Sequence, residues 1–207
     1  MTKNLQVFSP TSYLYSIPTQ PRMIIGITGT NGAGKESVAH FLKNSGFVQF
    51  SCSDAIRDEA RKRDLSLDRD VLISLGNELR AAYGPSVLAN RVYSIIKAQN
   101  VKDAIVVSIR NPAEAEALSQ RDDFVLVWVD ALPAVRFERS RRRMRDKADL
   151  LSFEEFMSME MSERDAGPTG QRLDFMKNLA SIHIENNGTI EELEKEVYTL
   201  MSSVKKG

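Results

Sequence analysis

A glycine-rich stretch near the start of the chain has the residue types and spacing of a phosphate-binding loop. Its glycines allow positive φ angles and a close approach of the backbone to a ligand, and a lysine adds a mobile cation. Successive N–H groups in such a loop converge at the positive end of the helix that follows. The sequence therefore predicts a P-loop that holds nucleotide phosphates. Its predicted contacts come from Gly29, Asn31, Gly32, Ala33, Gly34, Lys35, Glu36 and Ser37.

The hydroxyl of this loop stands one position later than in the commonest P-loop pattern, which places Ser or Thr directly after the lysine. Here Glu36 follows Lys35, and Ser37 comes next. The Ser37 hydroxyl, or Glu36 through a water molecule, is predicted to bring Mg²⁺ to the phosphates. Alternatively, the negative charge of Glu36 weakens ATP binding.

Strands and helices are predicted to alternate around this loop. Apolar runs predict strands at residues 23–27, 104–109 and 124–129. Residues 46–52 and 181–185 are predicted to form two further strands. Ser53 and Asp54 are predicted to cap a helix that runs to about Arg63, and the last helix is predicted at 189–204. This order predicts a three-layer α/β sandwich with a parallel sheet of about five strands. A small helical lid is predicted at about residues 139–170.

Polar side chains follow the predicted strands, at the sheet edge where ligands bind in open parallel sheets. Asp54 is predicted to act as a base or to orient an acceptor, or else only to cap its helix. Arg57 and Arg110 would place forked donors on an acceptor's phosphate. Arg80, late in a helix, is a further candidate for substrate binding.

Six arginines lie between residues 136 and 145, the densest charge cluster in the chain. Helical spacing places Arg139 and Arg143 on one side of a helix, from which a lid would close over the β- and γ-phosphates. The alternative is a solvated basic face, balanced by acidic residues in 154–163. Asn186 and Gly188, after the last strand, complete the predicted nucleotide contacts.

Bulk composition limits the classes of function. Lys+Arg and Asp+Glu are both 28, so no net charge would attract the chain to nucleic acid or an anionic membrane. One cysteine, Cys52, excludes an internal disulfide and suits the reducing cytoplasm. No apolar run is long enough to span a membrane. Residues 1–22 are predicted to be an extension that packs on the domain or a protein partner, or remains disordered.

The chain resembles the nucleoside-monophosphate-kinase branch of P-loop kinases over most of residues 23–204. Adenylate kinases are similar at the loop 29–37, at Ser53-Asp54 with Arg57, and at the turn Ile109-Arg110-Asn111-Pro112. This resemblance implies that Arg57 and Arg110 hold the acceptor's phosphate. Glu36 departs from the pattern, as does Ser108, which stands where many P-loop enzymes have an acidic residue for the metal.

Dephospho-CoA kinases are similar at Asp54-Ala-Ile-Arg57 and at residues 180–193. That resemblance implies that Asp54 acts on a ribose hydroxyl and that the loop after the last strand lies against adenine. The overall layout also resembles nucleotide-kinase-like proteins related to the N-terminal part of some deoxycytidylate deaminases. They are similar in the arginine-rich helix, at Ser152-Phe-Glu-Glu-Phe156 and at Glu163-Arg164-Asp165. The zinc signature of a deaminase is absent from the sequence.

These observations predict a kinase that moves the γ-phosphoryl group of Mg·ATP to a nucleotide-like acceptor such as dephospho-CoA or a (d)NMP. The alternative is a nucleotide-binding module, without catalysis or with slow hydrolysis, that acts through a partner. A slow ATPase that binds RNA is a third possibility, although the neutral net charge disfavours it. The sequence leaves the choice between ATP and GTP open.

Overall fold

A computed structural model describes residues 22–143, 151–164 and 173–204 of the chain. Within these parts, five strands alternate with helices. The strands are β1 (Met23–Gly29), β2 (Val48–Ser51), β3 (Asp103–Val107), β4 (Phe124–Asp130) and β5 (Ile182–Glu185). The helices are α1 (Lys35–Asn44), α2 (Cys52–Lys62), α3 (Arg69–Tyr83), α4 (Val87–Ala98), α5 (Pro112–Ser119), α6 (Pro133–Arg143), α7 (Phe153–Arg164), α8 (Leu173–Leu179) and α9 (Ile190–Val204).

The strands form one parallel sheet in the order β2-β3-β1-β4-β5. The central strand β1 lies between β3 and β4 and is buried along its whole length. The inner strands β1, β3 and β4 are covered on both faces and are largely apolar, which explains why apolar runs marked them in the sequence. The edge strands β2 and β5 are partly exposed and contain polar residues. The predicted α/β class and the sheet of about five strands are confirmed.

Neighbouring residues of β1 point to opposite faces of the sheet and enter two separate cores. Ile25 and Ile27 pack with residues of α1 and α9 on one face. Ile24 packs on the other face with residues of α2, α3, α4, α5 and α8. The two helical layers and the sheet between them make the predicted three-layer sandwich. This packing fixes the loops at the carboxyl edge of the sheet.

The boundary between β2 and α2 differs from the prediction. The strand ends at Ser51, and the helix begins at Cys52 rather than after Ser53 and Asp54. Ser51 is the N-cap, because its backbone is extended and its hydroxyl accepts a hydrogen bond from the Ser53 N–H. Asp54 therefore lies in the first turn of α2, and the prediction that Ser53 and Asp54 cap this helix is wrong.

The short helix α8 was not predicted from the sequence. It brings Met176, which is fully buried, onto the core beside Leu118 and Trp128. The predicted lid, about residues 139–170, coincides with the end of α6 and with α7, while 144–150 and 165–172 lie outside the described residues. The predicted extension also lies outside them, apart from Arg22.

No helix among the described residues is long and apolar enough to cross a membrane.

Candidate functional site: a phosphate-binding loop and its neighbours

The glycine-rich loop joins β1 to α1, and its conformation requires glycine. Gly32 has a φ of 77° and Gly34 a φ of 97°. A Cβ at Gly32 would lie 2.6 Å from the Arg136 carbonyl oxygen, and one at Gly34 would lie 2.3 Å from Asn186 Nδ2. Gly34 is also the N-cap of α1 and places no side chain over the helix N-terminus. The first-turn amides of α1 can therefore face an anion.

Lys35 lies over the mouth of this loop. Its Nζ donates hydrogen bonds to the carbonyl oxygens of Gly29, at 2.8 Å, and Thr30, at 2.5 Å. These partners are neutral, whereas phosphate oxygens carry charge and form stronger hydrogen bonds with an ammonium group. The lysine is therefore placed to exchange backbone carbonyls for the phosphates of a nucleotide.

The loop after β5 supports the P-loop from the side. Asn186 is buried, and its Nδ2 donates to the Ala33 carbonyl oxygen at 2.8 Å. Arg139 of α6 donates to the carbonyl oxygens of Asn186, at 2.8 Å, and Gly188, at 3.3 Å. Partial burial lowers the pKa of Arg139. The structure thus brings Arg139, Asn186 and Gly188 together beside the P-loop, while the side chain of Arg143 lies outside the described part of the chain.

A second set of buried contacts ties the P-loop to α6 and α7. Thr30 Oγ1 donates to Asp130 Oδ1 at 2.6 Å, at the end of β4. Arg136 is buried and donates from Nε to the Ala131 carbonyl oxygen at 2.8 Å. Its guanidinium forms an ion pair with Glu160 of α7, which is also buried. Arg136 had no assigned role in the sequence, because its partner lies 24 positions away.

The predicted acceptor side chains lie at the ends of β2 and β3. Asp54 and Arg57 form an ion pair at 2.8 Å within α2, and both remain accessible. Arg110 is exposed, and its guanidinium has no hydrogen bond or ion pair within the described ranges. Arg80, in contrast, is 15% exposed and pairs with the buried carboxylate of Glu114 at 3.0 Å. Arg57 and Arg110 are accessible to a ligand, whereas Arg80 already has an internal partner.

The residue after β3 has an unusual backbone. Ser108 has a φ of 60°, a left-handed conformation that is uncommon outside glycine. Its Oγ accepts a hydrogen bond from Ser51 Oγ at 3.2 Å. The strand therefore ends before the predicted limit at residue 109, and a hydroxyl stands at this edge where a carboxylate would bind a metal.

The described residues contain no group of three or more His, Cys, Asp or Glu side chains that could hold a metal ion. Magnesium that binds together with a nucleotide needs fewer protein ligands, because phosphates and water supply most of its coordination. Ser37 is half-buried in the first turn of α1, and Glu36 beside it is exposed. Both side chains are accessible beside the loop, as the prediction of Mg²⁺ held by Ser37, or by Glu36 through water, requires.

Cys52 begins α2 close to this site, and it is buried. Burial, reinforced by the negative charge of Glu114, raises the pKa of its thiol. Because only the thiolate is a strong nucleophile, we expect the native protein to resist iodoacetamide at about pH 8 and to be labelled once denatured. Rapid labelling of the folded protein would contradict the buried placement.

Comparisons with known proteins agree with this geometry. A family model described as AAA domain matches residues 25–163. A UPF0200 protein of Hyperthermus butylicus is 31% identical over 181 residues, which cover 87% of this chain and 94% of that protein. The similarity therefore extends beyond the P-loop to nearly the whole of both chains.

Solved structures show the same fold. The crystal structure of TT1252 from Thermus thermophilus has a TM-score of 0.60 at 22% identity, covering 89% of this chain and 98% of that chain. A shikimate kinase from Bacteroides thetaiotaomicron has a TM-score of 0.57 at 16% identity, and the match covers 87% of this chain and 98% of that chain. The chain belongs to the AAA domain family, is related to the UPF0200 proteins, and has the fold of a P-loop kinase.

Proposed function

We propose that the protein is a kinase that transfers the γ-phosphoryl group of ATP to a small, nucleotide-like acceptor. The observation that carries the proposal is the placement of Arg110. It is exposed at the end of β3, which pairs directly with β1, the strand that leads into the P-loop. An accessible guanidinium beside a phosphate-binding loop is suited to hold an anionic acceptor opposite the nucleotide.

The residues divide into two groups around the transferred phosphoryl group. Lys35 and the loop amides hold the nucleotide phosphates, supported by Asn186 and Gly188. Arg139 and Arg143, on the lid side, stabilise the negative charge on the transferred phosphoryl group. Phosphoryl transfer depends mainly on such positioning and electrostatic stabilisation.

The acceptor group consists of Asp54, Arg57 and Arg110. Arg57 and Arg110 bind the acceptor's phosphate, while Asp54 orients the attacking oxygen. In dephospho-CoA this oxygen belongs to a hydroxyl, whose proton Asp54 takes; in a (d)NMP it belongs to the phosphate itself. A bond forms from the acceptor oxygen to the γ-phosphorus, the bond to the β–γ bridging oxygen breaks, and ADP leaves. Arg80 was also a candidate for this group, and its pairing with Glu114 favours an indirect role.

The Ser37 hydroxyl, or Glu36 through a water molecule, would hold Mg²⁺ together with the nucleotide phosphates. Bound there, the ion would neutralise charge on the phosphates.

The proposal is tested by ADP formation from Mg·ATP with dephospho-CoA and a panel of NMPs and dNMPs. We expect one acceptor to stimulate ADP formation well above the rate without acceptor. In Asp54→Asn, that stimulation should fall by about 10²-fold or more, as is typical when a positioned acid–base group is lost. An unchanged rate in Asp54→Asn would remove Asp54 from the mechanism.

Arg110→Ala is expected to raise the KM for the acceptor about 10- to 100-fold, because a hydrogen bond to a charged group contributes about 1.5–3 kcal/mol. The KM for ATP should change less than about twofold. Arg61→Ala is the matched control, since Arg61 is exposed and pairs with Asp58 on α2. Equal effects on both KM values would contradict a specific role in acceptor binding.

A nucleotide-binding module without efficient catalysis is the second candidate. It is favoured by Ser108, whose hydroxyl is bonded to Ser51 where a metal-binding carboxylate would stand, and by Glu36 beside the loop. This candidate predicts tight ATP binding with no acceptor-dependent turnover, and an affinity that changes when a partner protein is added. Residues 1–22 are the proposed contact for such a partner.

A further inference from the structure

The carboxylate of Glu114 connects three elements at the edge of the sheet. It is fully buried in the first turn of α5. Its Oε2 accepts hydrogen bonds from the backbone N–H groups of Arg110, at 3.1 Å, and Asn111, at 3.3 Å. Its Oε1 accepts from Arg80 of α3, at 3.2 Å from Nε and 3.0 Å from a terminal nitrogen. One buried charge thus joins α3 and α5 to the backbone of Arg110.

The same turn is fixed from its other side. Thr28 Oγ1 of β1 donates to the Ile109 carbonyl oxygen at 3.2 Å. Ser51, the N-cap of α2, donates to Ser108 Oγ at 3.2 Å. The backbone around Arg110 is therefore held by α3, α5, β1 and the start of α2, while the Arg110 guanidinium itself is exposed.

A rigid backbone that carries an accessible guanidinium is the arrangement expected of a preorganised anion site. Binding is tighter when the ligand does not have to order the groups that hold it. A buried carboxylate also needs a charged partner, and among the described residues Arg80 is the one cation paired with Glu114. Because both oxygens of Glu114 are used, a change at Arg80 is transmitted to the amides of Arg110 and Asn111.

We infer that Arg80 and Glu114 are positioning residues that hold the Arg110 turn for acceptor binding, and that Arg80 acts through Glu114. This inference rests on the proposed function, in which Arg110 grips the acceptor's phosphate. It replaces the expectation that Arg80 touches the acceptor itself.

The first test needs no substrate. Amide hydrogen exchange is measured by NMR for the N–H groups of Arg110 and Asn111 in the full-length protein and in Arg80→Met, which keeps the length of the side chain but removes its charge. We expect exchange at both amides to become at least about tenfold faster, with protection at Leu42 of α1 unchanged. Arg80→Lys should restore part of the protection, because it restores a positive charge beside Glu114.

Two results of this experiment would overturn the inference. Unchanged exchange at Arg110 and Asn111 would show that Arg80 does not hold the turn. An equal increase at Leu42 would show that Arg80 supports the whole domain rather than this turn. Glu114→Ala offers a second route to the same answer: it removes the oxygen that accepts from the Arg110 and Asn111 N–H groups, so exchange at both amides should again become faster.

The second test separates an indirect role from direct contact by a double-mutant cycle. The KM values for dephospho-CoA and AMP are measured in Arg80→Met, Arg110→Ala and the double variant. We expect each single change to raise the acceptor KM about tenfold or more with little effect on the KM for ATP. The double variant should then match Arg110→Ala within about twofold.

If the increase in acceptor KM in the double variant equals the product of the two single increases, Arg80 contacts the acceptor independently of Arg110. That result would overturn the inference. If the wild-type protein phosphorylates neither dephospho-CoA nor AMP, the proposed function is contradicted for these two acceptors. The exchange experiment would still decide whether Arg80 and Glu114 hold the turn, so the two failures are distinguishable.

Discussion

Lys35→Met is expected to reduce ATP turnover by about a thousandfold or more, equivalent to about 4 kcal/mol of transition-state stabilisation. Lys35 Nζ lies at the mouth of the P-loop, where two carbonyl oxygens hold it. Methionine has a similar length but cannot donate to the phosphates or neutralise the charge on the transferred group. The effect is measured as ADP formation under saturating ATP and acceptor.

The fold of this variant should be intact, because Lys35 is only half-buried and its stem is retained by methionine. Lys43→Met is the matched control, since Lys43 lies on the same helix and is exposed. Unchanged melting temperatures for both variants would exclude unfolding as the cause. Full activity of Lys35→Met would contradict the assignment of the P-loop.

Glu160→Ala is expected to lower the free energy of unfolding by about 3 kcal/mol, because it removes the closer charged partner of the buried Arg136 guanidinium and leaves the longer ion pair with Asp130, at 3.7 Å. The measurement is urea denaturation followed by circular dichroism. Asp58→Ala breaks the exposed pair with Arg61 and should cost less than about 1 kcal/mol.

The double variant Arg136→Met with Glu160→Leu distinguishes loss of charge pairing from loss of packing. Replacing a buried pair by apolar residues of similar size is often neutral, so this variant should recover most of the lost stability. A cost for Glu160→Ala no larger than that of Asp58→Ala would contradict the buried pair as a link between α6 and α7.

The parts of the fold that could be predicted from the sequence are those set by local patterns. Largely apolar runs marked β1, β3 and β4, because these inner strands are covered on both faces of the sheet. The edge strands β2 and β5 are shorter and alternate apolar with polar residues. The P-loop was equally local, since its glycines and Lys35 occupy one short stretch. The cap of α2 was misplaced because Ser51 and Ser53 offer the same hydroxyl two positions apart, and only the backbone at Ser51 is extended.

The contacts that shape the candidate site could not be predicted in the same way. Arg139 contacts Asn186, 47 positions away, and Arg80 contacts Glu114, 34 positions away. From the sequence, Arg57 and Arg110 were the main candidates for binding an acceptor's phosphate, and Arg80 was a weaker one of the same kind. The structure separates them by burial, because Arg80 faces a buried carboxylate while Arg110 faces outward. Such differences arise from the packing of helices and carry no local signal.

The most direct test of kinase activity is to follow the γ-phosphoryl group itself by ³¹P NMR, with the protein, Mg·ATP and each acceptor of the panel. For a kinase, the γ-phosphorus signal should be replaced by that of a phosphorylated acceptor, in amounts equal to the ADP formed. Release of the group only as inorganic phosphate, or no consumption of bound ATP with any acceptor, would contradict a kinase. Either of those results would instead support the nucleotide-binding module.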